Sequence, residues 1–180
     1  EAFKRKMPRE SLKIKIQTFN GSPDQIVSEA IKLCNNVQPK IGHLAIVFDK
    51  DDFPQFNNAV AQFKSISLST IKTYAAYSNE SFELWYLLHF QDIAPKNNIP
   101  RSDLNDKIQD HIRTKTGNNN FTYCKSECIF NILENHGDQN TAIQRAERLI
   151  QGAHDPKQPW LTNPTTGIHE VVRELAKFLP

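Results

Sequence analysis

The sequence holds no apolar run that approaches membrane-spanning length and no secretory signal, so no membrane is expected among its partners. Cysteine is scarce. The three cysteines, Cys34, Cys124 and Cys128, cannot all pair within the chain, which favours a reducing compartment and a cytoplasmic location. The Cys-x-x-Cys pairs of structural zinc sites are missing as well. Cys124 and Cys128 are separated by three residues, with His111 and His136 only loosely nearby, so no structural zinc is expected and Cys128 reads as core. An excess of one charge is also lacking. Lys and Arg number 22 against 20 Asp and Glu, a net +2, which excludes a wholly basic nucleic-acid coat but not a local basic patch. What remains is a polar-surfaced chain of 180 residues, 38% apolar and 23% charged, long enough for one domain with a real core and a small appended lobe.

The most informative stretch is 44–52, Leu-Ala-Ile-Val-Phe-Asp-Lys-Asp-Asp. Leu44 to Phe48 form an unbroken apolar run that predicts a strand buried on both faces of a parallel sheet. Asp49, Asp51 and Asp52 follow at once. Ligands of open α/β sheets bind at the carboxyl ends of the strands, and alternation points Asp49 and Asp51 the same way. Two such carboxylates suit a hard divalent ion such as Mg²⁺. The plain alternative is a polar loop in which Asp52 or a neighbour caps the helix opening near Pro54.

Around that stretch the pattern is strand, helix, strand, helix, strand, which predicts right-handed parallel crossovers in a layered α/β core. Glu1 to Met7 reads as the end of a helix stopped by Pro8, so further sequence is expected upstream. Ser11 to Phe19 alternates, with Leu12, Ile14 and Ile16 against Lys13, Lys15 and Gln17, and predicts a strand at a sheet edge. Ser22-Pro23 with Gln25 opens a helix by a capping-box spacing, striped by Ile26, Val27, Ala30, Ile31 and Leu33. A second helix turns Phe56, Ala59, Val60 and Phe63 inward, and a strand runs from about Ser69 to Tyr77.

The next stretch, Ser78-Asn-Glu-Ser-Phe-Glu-Leu-Trp-Tyr-Leu-Leu-His-Phe90, predicts a buried helix from about Ser81 to Phe90 with Ser78 and Asn79 as caps. A glutamate at position 83 inside so apolar a helix needs a partner. It suits a metal ligand or a base that activates water, and equally a group paired with the helix dipole. His89 is a candidate for proton transfer, although a lone histidine in apolar company is more often a packing residue.

Pro95 and Pro100 flank a loop, and Leu104, Ile108 and Ile112 stripe a helix through about Arg113. Further helices are expected from about Ser126 to Asn135 and from Gln139 to Gln151, parted by Gly137. Lys107, Arg113, Lys115, Lys125, Arg145 and Arg148 recur through this lobe, and neighbouring acids favour a solvated face over a nucleic-acid groove. After a loop, Thr162 to Glu170 opens a last helix striped by Val171, Val172, Leu175 and Phe178, with Thr165 or Asn163 as cap. Asn163, Thr165 and Thr166 suit orienting a phosphate or a metal-bound water there; capping alone explains them equally well.

Taken together, Phe48-Asp-Lys-Asp-Asp-Phe-Pro54, the aromatic stretch from Ser78 to Phe90, Asn163-Pro-Thr-Thr166 and Arg145-Ala-Glu in the lobe between resemble the RloB-like family. The resemblance spans nearly the whole chain and implies a Toprim-like α/β fold: a mainly parallel sheet flanked by helices, with a C-terminal helical lobe. It implies a core over 1–92, a helical lobe over 93–160, and a C-terminal helix over 161–180 that packs back on the core. Asp49 and Asp51 match the Toprim Asp-x-Asp, and Glu83 matches the acidic position of the family's Phe-Glu-Leu-Trp stretch. The family's first strand and its Gly-Glu-x-x-Thr-Glu-like segment are expected just before residue 1.

What the resemblance implies is a Mg²⁺- or Mn²⁺-dependent, nuclease-like domain serving in phage defence. Asp49 and Asp51 would hold the metal with Asp52 behind them, Glu83 would act as ligand or base, His89 would aid proton transfer, and Asn79, Asn163 and Thr165 would support the site. Nucleic acid, a partner ATPase and a second copy of the chain are the expected partners. Two alternatives accompany this reading: a non-catalytic module that binds an ATPase or nucleic acid, and phosphotransfer or nucleotidyl transfer on a small nucleotide.

Overall fold

The computed structural model describes residues 6–8, 13–36, 41–66, 71–125 and 129–179. The elements are α1 (Pro23–Asn36), β1 (His43–Asp49), α2 (Phe56–Ser65), β2 (Lys72–Asn79), α3 (Glu83–Leu88), α4 (Arg101–Thr116), α5 (Phe130–His136), α6 (Gln139–Gln151), a 3-10 turn (Pro159–Leu161), β3 (Thr165–Thr166) and α7 (Ile168–Ala176). The sheet is mixed and ordered β1-β2-β3. β1 and β2 run parallel, from His43 opposite Lys72 to Asp49 opposite Ser78. β3 is antiparallel to β2, Thr166 facing Ser78 and Thr165 facing Asn79. This is the α/β, Toprim-like arrangement: a sheet flanked by helices, with the helical cluster α4–α6 after it.

Local chemistry explains the helices on one face. Pro23 presets the first turn of α1, and the Ser22 backbone N–H donates to Gln25 Oε1 at 3.0 Å, one half of a capping box. Val27 and Ala30 of α1 then meet Phe56, Ala59, Val60 and Phe63 of α2 over Ile46, Phe48, Ala75 and Tyr77 of the strands. On the other side of β2, Ala76 joins a larger core. It takes in Leu84, Leu87 and Leu88 of α3, Leu104, Ile108 and Ile112 of α4, Ala142, Ala146 and Leu149 of α6, and Ile168 and Val172 of α7. Gly117, with φ 73°, ends α4 in the left-handed conformation that glycine adopts without strain.

Several expectations are corrected. β1 is buried on one face only: Ile46 and Phe48 are in the core, whereas Ala45 is exposed and Val47 is 55% exposed. The reason is that α3 and α7 pack on β2, so the helices of the larger core do not roof β1. Residues 13–20 form no strand despite their alternation, and Ile16 and Phe19 stay 51% and 46% exposed. Alternation makes a strand only where a sheet edge offers hydrogen bonds, and no strand pairs with these residues among those described. Leu12, the Glu1–Arg5 part of the opening helix and the Ser126–Cys128 start of the second lobe helix lie outside the described residues.

Ser78 and Asn79 belong to β2 rather than capping α3, whose N-cap is Phe82. Thr165 is not the cap of the last helix either. It pairs with β2, and α7 starts at Ile168, whose N–H meets Thr166 Oγ1 at 3.3 Å.

Candidate functional site

The acidic corner forms where β1 stops. Past Asp49 the chain is fastened to the β2–α3 turn: Lys50 N–H donates to the Ser78 carbonyl at 2.9 Å, and Asp51 N–H to the Glu80 carbonyl at 3.3 Å. Asp51 takes the left-handed conformation, φ 42°, which aspartate tolerates better than most residues. Asp49 and Asp51 thereby face one guanidinium. Arg101 Nη2 lies 3.4 Å from Asp49 Oδ2 and also pairs with Asp51 Oδ1. Arg101 is the first residue of α4, and its backbone N–H donates to Glu80 Oε2 at 3.1 Å. The helix that follows the acids has Gln55 as N-cap with no side-chain hydrogen bond, so the capping alternative for Asp52 is not realised.

Glu83 completes the corner. It opens α3 and is only 4% exposed. The Tyr123 hydroxyl donates to Glu83 Oε1 at 3.1 Å, while Oε2 is buried with no hydrogen-bond partner. Asp49 accepts from the Phe82 backbone N–H, one residue away from Glu83. Burial, then the charges of Glu83 and Asp51, push Asp49 up to about 6 against the lowering pull of that N–H and of Arg101. The charge of Glu83 is thus felt at Asp49, across the Phe82 N–H that precedes it in the chain.

Two cavities open beside them. One, of about 330 Å³, is lined by Val47, Asp49, Asp51, Phe53 and Phe82 with Gly21, Pro23 and Ile26 of the α1 entry. The other, of about 140 Å³, is bounded by Asp51, Asp52, Glu80 and Arg101.

The comparisons with known proteins bear on the whole chain. The family model described as RloB-like protein matches residues 1–175. The chain belongs to the RloB-like family. No curated protein and no solved structure matches it.

In this RloB-like chain the donor set Asp49, Asp51 and Glu83 is all oxygen, which suits a hard divalent cation, and the unpartnered Glu83 Oε2 is the kind of orphan such an ion satisfies. Arg101 already offsets one of the two negative charges of Asp49 and Asp51, and among the described residues no group of three or more His, Cys, Asp or Glu side chains is placed to hold a metal ion. Asp52 is exposed beside the smaller cavity.

The other residues singled out in the sequence make hydrogen bonds of their own. His89 follows α3 at the end away from Glu83; its Nδ1–H donates to the Trp85 carbonyl at 2.9 Å and its ring meets Trp85 edge-on. Asn79 Nδ2 donates to the Trp160 carbonyl at 2.9 Å. Asn163 clasps the backbone of Ile99, accepting from its N–H and donating to its carbonyl, each at 3.3 Å. The Thr165 hydroxyl is directed at the carbonyls of Pro159, 3.0 Å, and Thr162, 2.8 Å.

Basic residues of the lobe are engaged at home: Arg145 with the Leu88 carbonyl at 2.7 Å, Arg113 with that of Phe121 at 2.8 Å, and Arg148 with Asp92 at 2.6 Å. Sequence reasoning missed Arg101 and Tyr123. The one available signal was a lone arginine directly after Pro100, at the position where α4 was bound to start.

Proposed function

We propose that this RloB-like chain serves in phage defence as a binding module for a protein partner, of which an ATPase is the class the family resemblance implies. The observation that carries the reading is the apolar rim of the larger cavity. Val47 is 55% and Phe53 40% exposed on its wall, and Phe19 packs against Gly21 at its edge. Exposed apolar side chains gathered round one open cleft mark an interaction site, and Arg101 offsets part of the charge of the adjacent aspartates that a partner would cover. The test is co-purification of the full-length protein with an ATPase co-expressed with it. Co-elution lost in Val47→Glu and Phe53→Ser, with unchanged thermal melts, supports the reading; co-elution indifferent to both substitutions overturns it.

A second reading, divalent-metal-dependent phosphodiester cleavage, is favoured by the unpartnered oxygen of Glu83. Asp49, Asp51 and Glu83 would hold a Mg²⁺ or Mn²⁺ ion, which when bound polarises a phosphate and activates water. Tyr123 fixes the rotamer of Glu83, leaving Oε2 free for the ion or for a proton. His89 is given no part in this reading, since its Nδ1–H is held by the Trp85 carbonyl at the end of α3 away from Glu83. Plasmid, single-stranded DNA and RNA incubated with Mg²⁺, Mn²⁺ or EDTA distinguish the two. Metal-dependent cleavage abolished by Asp51→Ala supports the enzyme, and partner capture without cleavage supports the module.

A further inference from the structure

Among the described residues β1 is the outer strand of its sheet, and one of its edges has no neighbour. Lys50 N–H donates to the Ser78 carbonyl and the Gly42 carbonyl accepts from Lys72 N–H, both at 2.9 Å, so the even-numbered residues turn their backbone groups to β2. Those of Ala45 and Val47 point the other way. Both residues are exposed, and no backbone partner meets them among the described residues. Such an edge is ordinarily guarded by lysine, proline or a bulge. His43-Leu-Ala-Ile-Val-Phe-Asp49 has neither residue and pairs with β2 one-to-one without interruption. The cleft of about 330 Å³ lies beside it, with Val47, Phe48 and Asp49 on one wall and Gly21, Pro23 and Ile26 of the α1 entry on the other. Consecutive strand residues point to opposite faces, so a cleft that touches all three runs along the edge itself. Two walls admit a single extended chain, whereas β1 of a second copy would bring β2 and its helices with it. At the Asp49 end, four carboxylates, Asp49, Asp51, Asp52 and Glu80, stand against two cations, Lys50 and Arg101, and the Arg101 guanidinium pairs only with Asp49 and Asp51.

We propose that β1 takes an extended segment of the protein partner as an added strand, apolar at alternate residues and carrying a lysine or arginine where it passes Asp49. This rests on the binding-module reading and names how the partner is held. Main-chain hydrogen bonds to Ala45 and Val47 supply the pairing, and the cleft takes an apolar side chain against Val47 and Phe53. The cationic side chain meets the carboxylates that the Arg101 guanidinium leaves unpaired, Asp52 and Glu80. Pairing at the edge fixes the register, since a slip of one residue turns the apolar side chains away from the cleft.

The experiment is NMR titration of the full chain with the capped heptapeptide Lys-Val-Thr-Val-Thr-Val-Lys, whose two charged ends serve either strand direction. Binding is expected to slow amide exchange at Ala45 and Val47 by about tenfold. Methylating one alternate set of peptide nitrogens is expected to weaken binding by about tenfold and methylating the other set to leave it unchanged, since only one set faces β1. Glutamate in place of both lysines is expected to weaken binding at low salt, with the difference closing at high salt. Ala45→Pro removes an outward N–H and spares the ladder to β2, so it is expected to lose binding with an unchanged melt. The methylated peptides carry the test if Ala45→Pro does not fold. No peptide binding, equal effects of the two methylated sets, or protection of Ala45 and Val47 that rises with the concentration of the chain alone overturns the proposal, the last by making a second copy the occupant. With a co-expressed ATPase, co-elution that Val47→Glu abolishes and Ala45→Pro retains overturns the added strand alone. No co-elution at all overturns the binding-module reading.

Discussion

The hydroxyl of Tyr123 donates a hydrogen bond to Glu83 Oε1 at 3.1 Å, joining the loop after α4 to the first turn of α3. The phenol is pushed above the ordinary tyrosine range by burial and by the charge of Glu83, so it stays a donor wherever the carboxylate is ionised. Tyr123→Phe leaves both oxygens of a buried carboxylate without a partner. The expected cost is about 1–3 kcal/mol, measured by urea unfolding, and Tyr123→Phe combined with Glu83→Gln should cost less than the sum of the two changes.

Gly167 sits where β3 turns into α7, and its N–H donates to the Tyr77 carbonyl at 2.9 Å. A Cβ there would strike the Ala75 carbonyl oxygen and lie 3.2 Å from the Tyr77 ring. These obstacles are strand backbone and a buried ring, which do not yield cheaply. Gly167→Ala is expected to lose about 1–3 kcal/mol in thermal unfolding.

His89 gives the protein an acid-sensitive component. Burial lowers it below its ordinary 6.5, against the raising pull of the Trp85 carbonyl. A depressed folded value means stability that is complete above pH 6.5 and lost as pH falls through the folded value. His169 is shifted in the same direction, burial again being the first cause. Asp49 works oppositely: held up to about 6, it contributes stability that is full below its unfolded value near 3.8 and lost as pH rises through 6. The comparison must therefore be between variants. His89→Gln should melt with a shallower loss between pH 6.5 and pH 5 than the parent. An unchanged slope would show that His89 takes no part.

The one-sided burial of β1 predicts opposite outcomes at adjacent positions. Phe48 is in the core, edge-on to Phe56 with ring centroids 5.7 Å apart. Phe48→Ala should cost about 3–5 kcal/mol. Val47, 55% exposed, should tolerate Val47→Ala within about 0.5 kcal/mol. Chemical denaturation of the two variants measures the contrast directly.

Much of the fold was legible because it depends on periodicity and local stops. Helix α6 spans Gln139–Gln151 as read, since Ala142, Ile143, Ala146 and Leu149 recur at helical spacing between Gly137 and Gly152. The inward residues of α2, Phe56, Ala59, Val60 and Phe63, are all buried for the same reason. The acids were legible as a cluster because Asp49 ends an apolar run and Glu83 opens another. Residues 13–20 misled because alternation records which side chains would face inward if a strand formed, not whether a neighbour exists to pair with it.

Asp49 to Asp51 follow the β1 run in the chain itself, and Glu83 heads an aromatic segment, so the sequence alone determined that carboxylates meet sheet ends. Only the tertiary structure decided that Arg101, fifty-two residues from Asp49, is their counter-charge, that β1 keeps an open face, and that His89 turns into the helical cluster. Spacing and polarity act over a few residues and are written locally. The approach of a helix start to a strand end depends on how the cores on either side of the sheet pack, and that is a property of the folded whole.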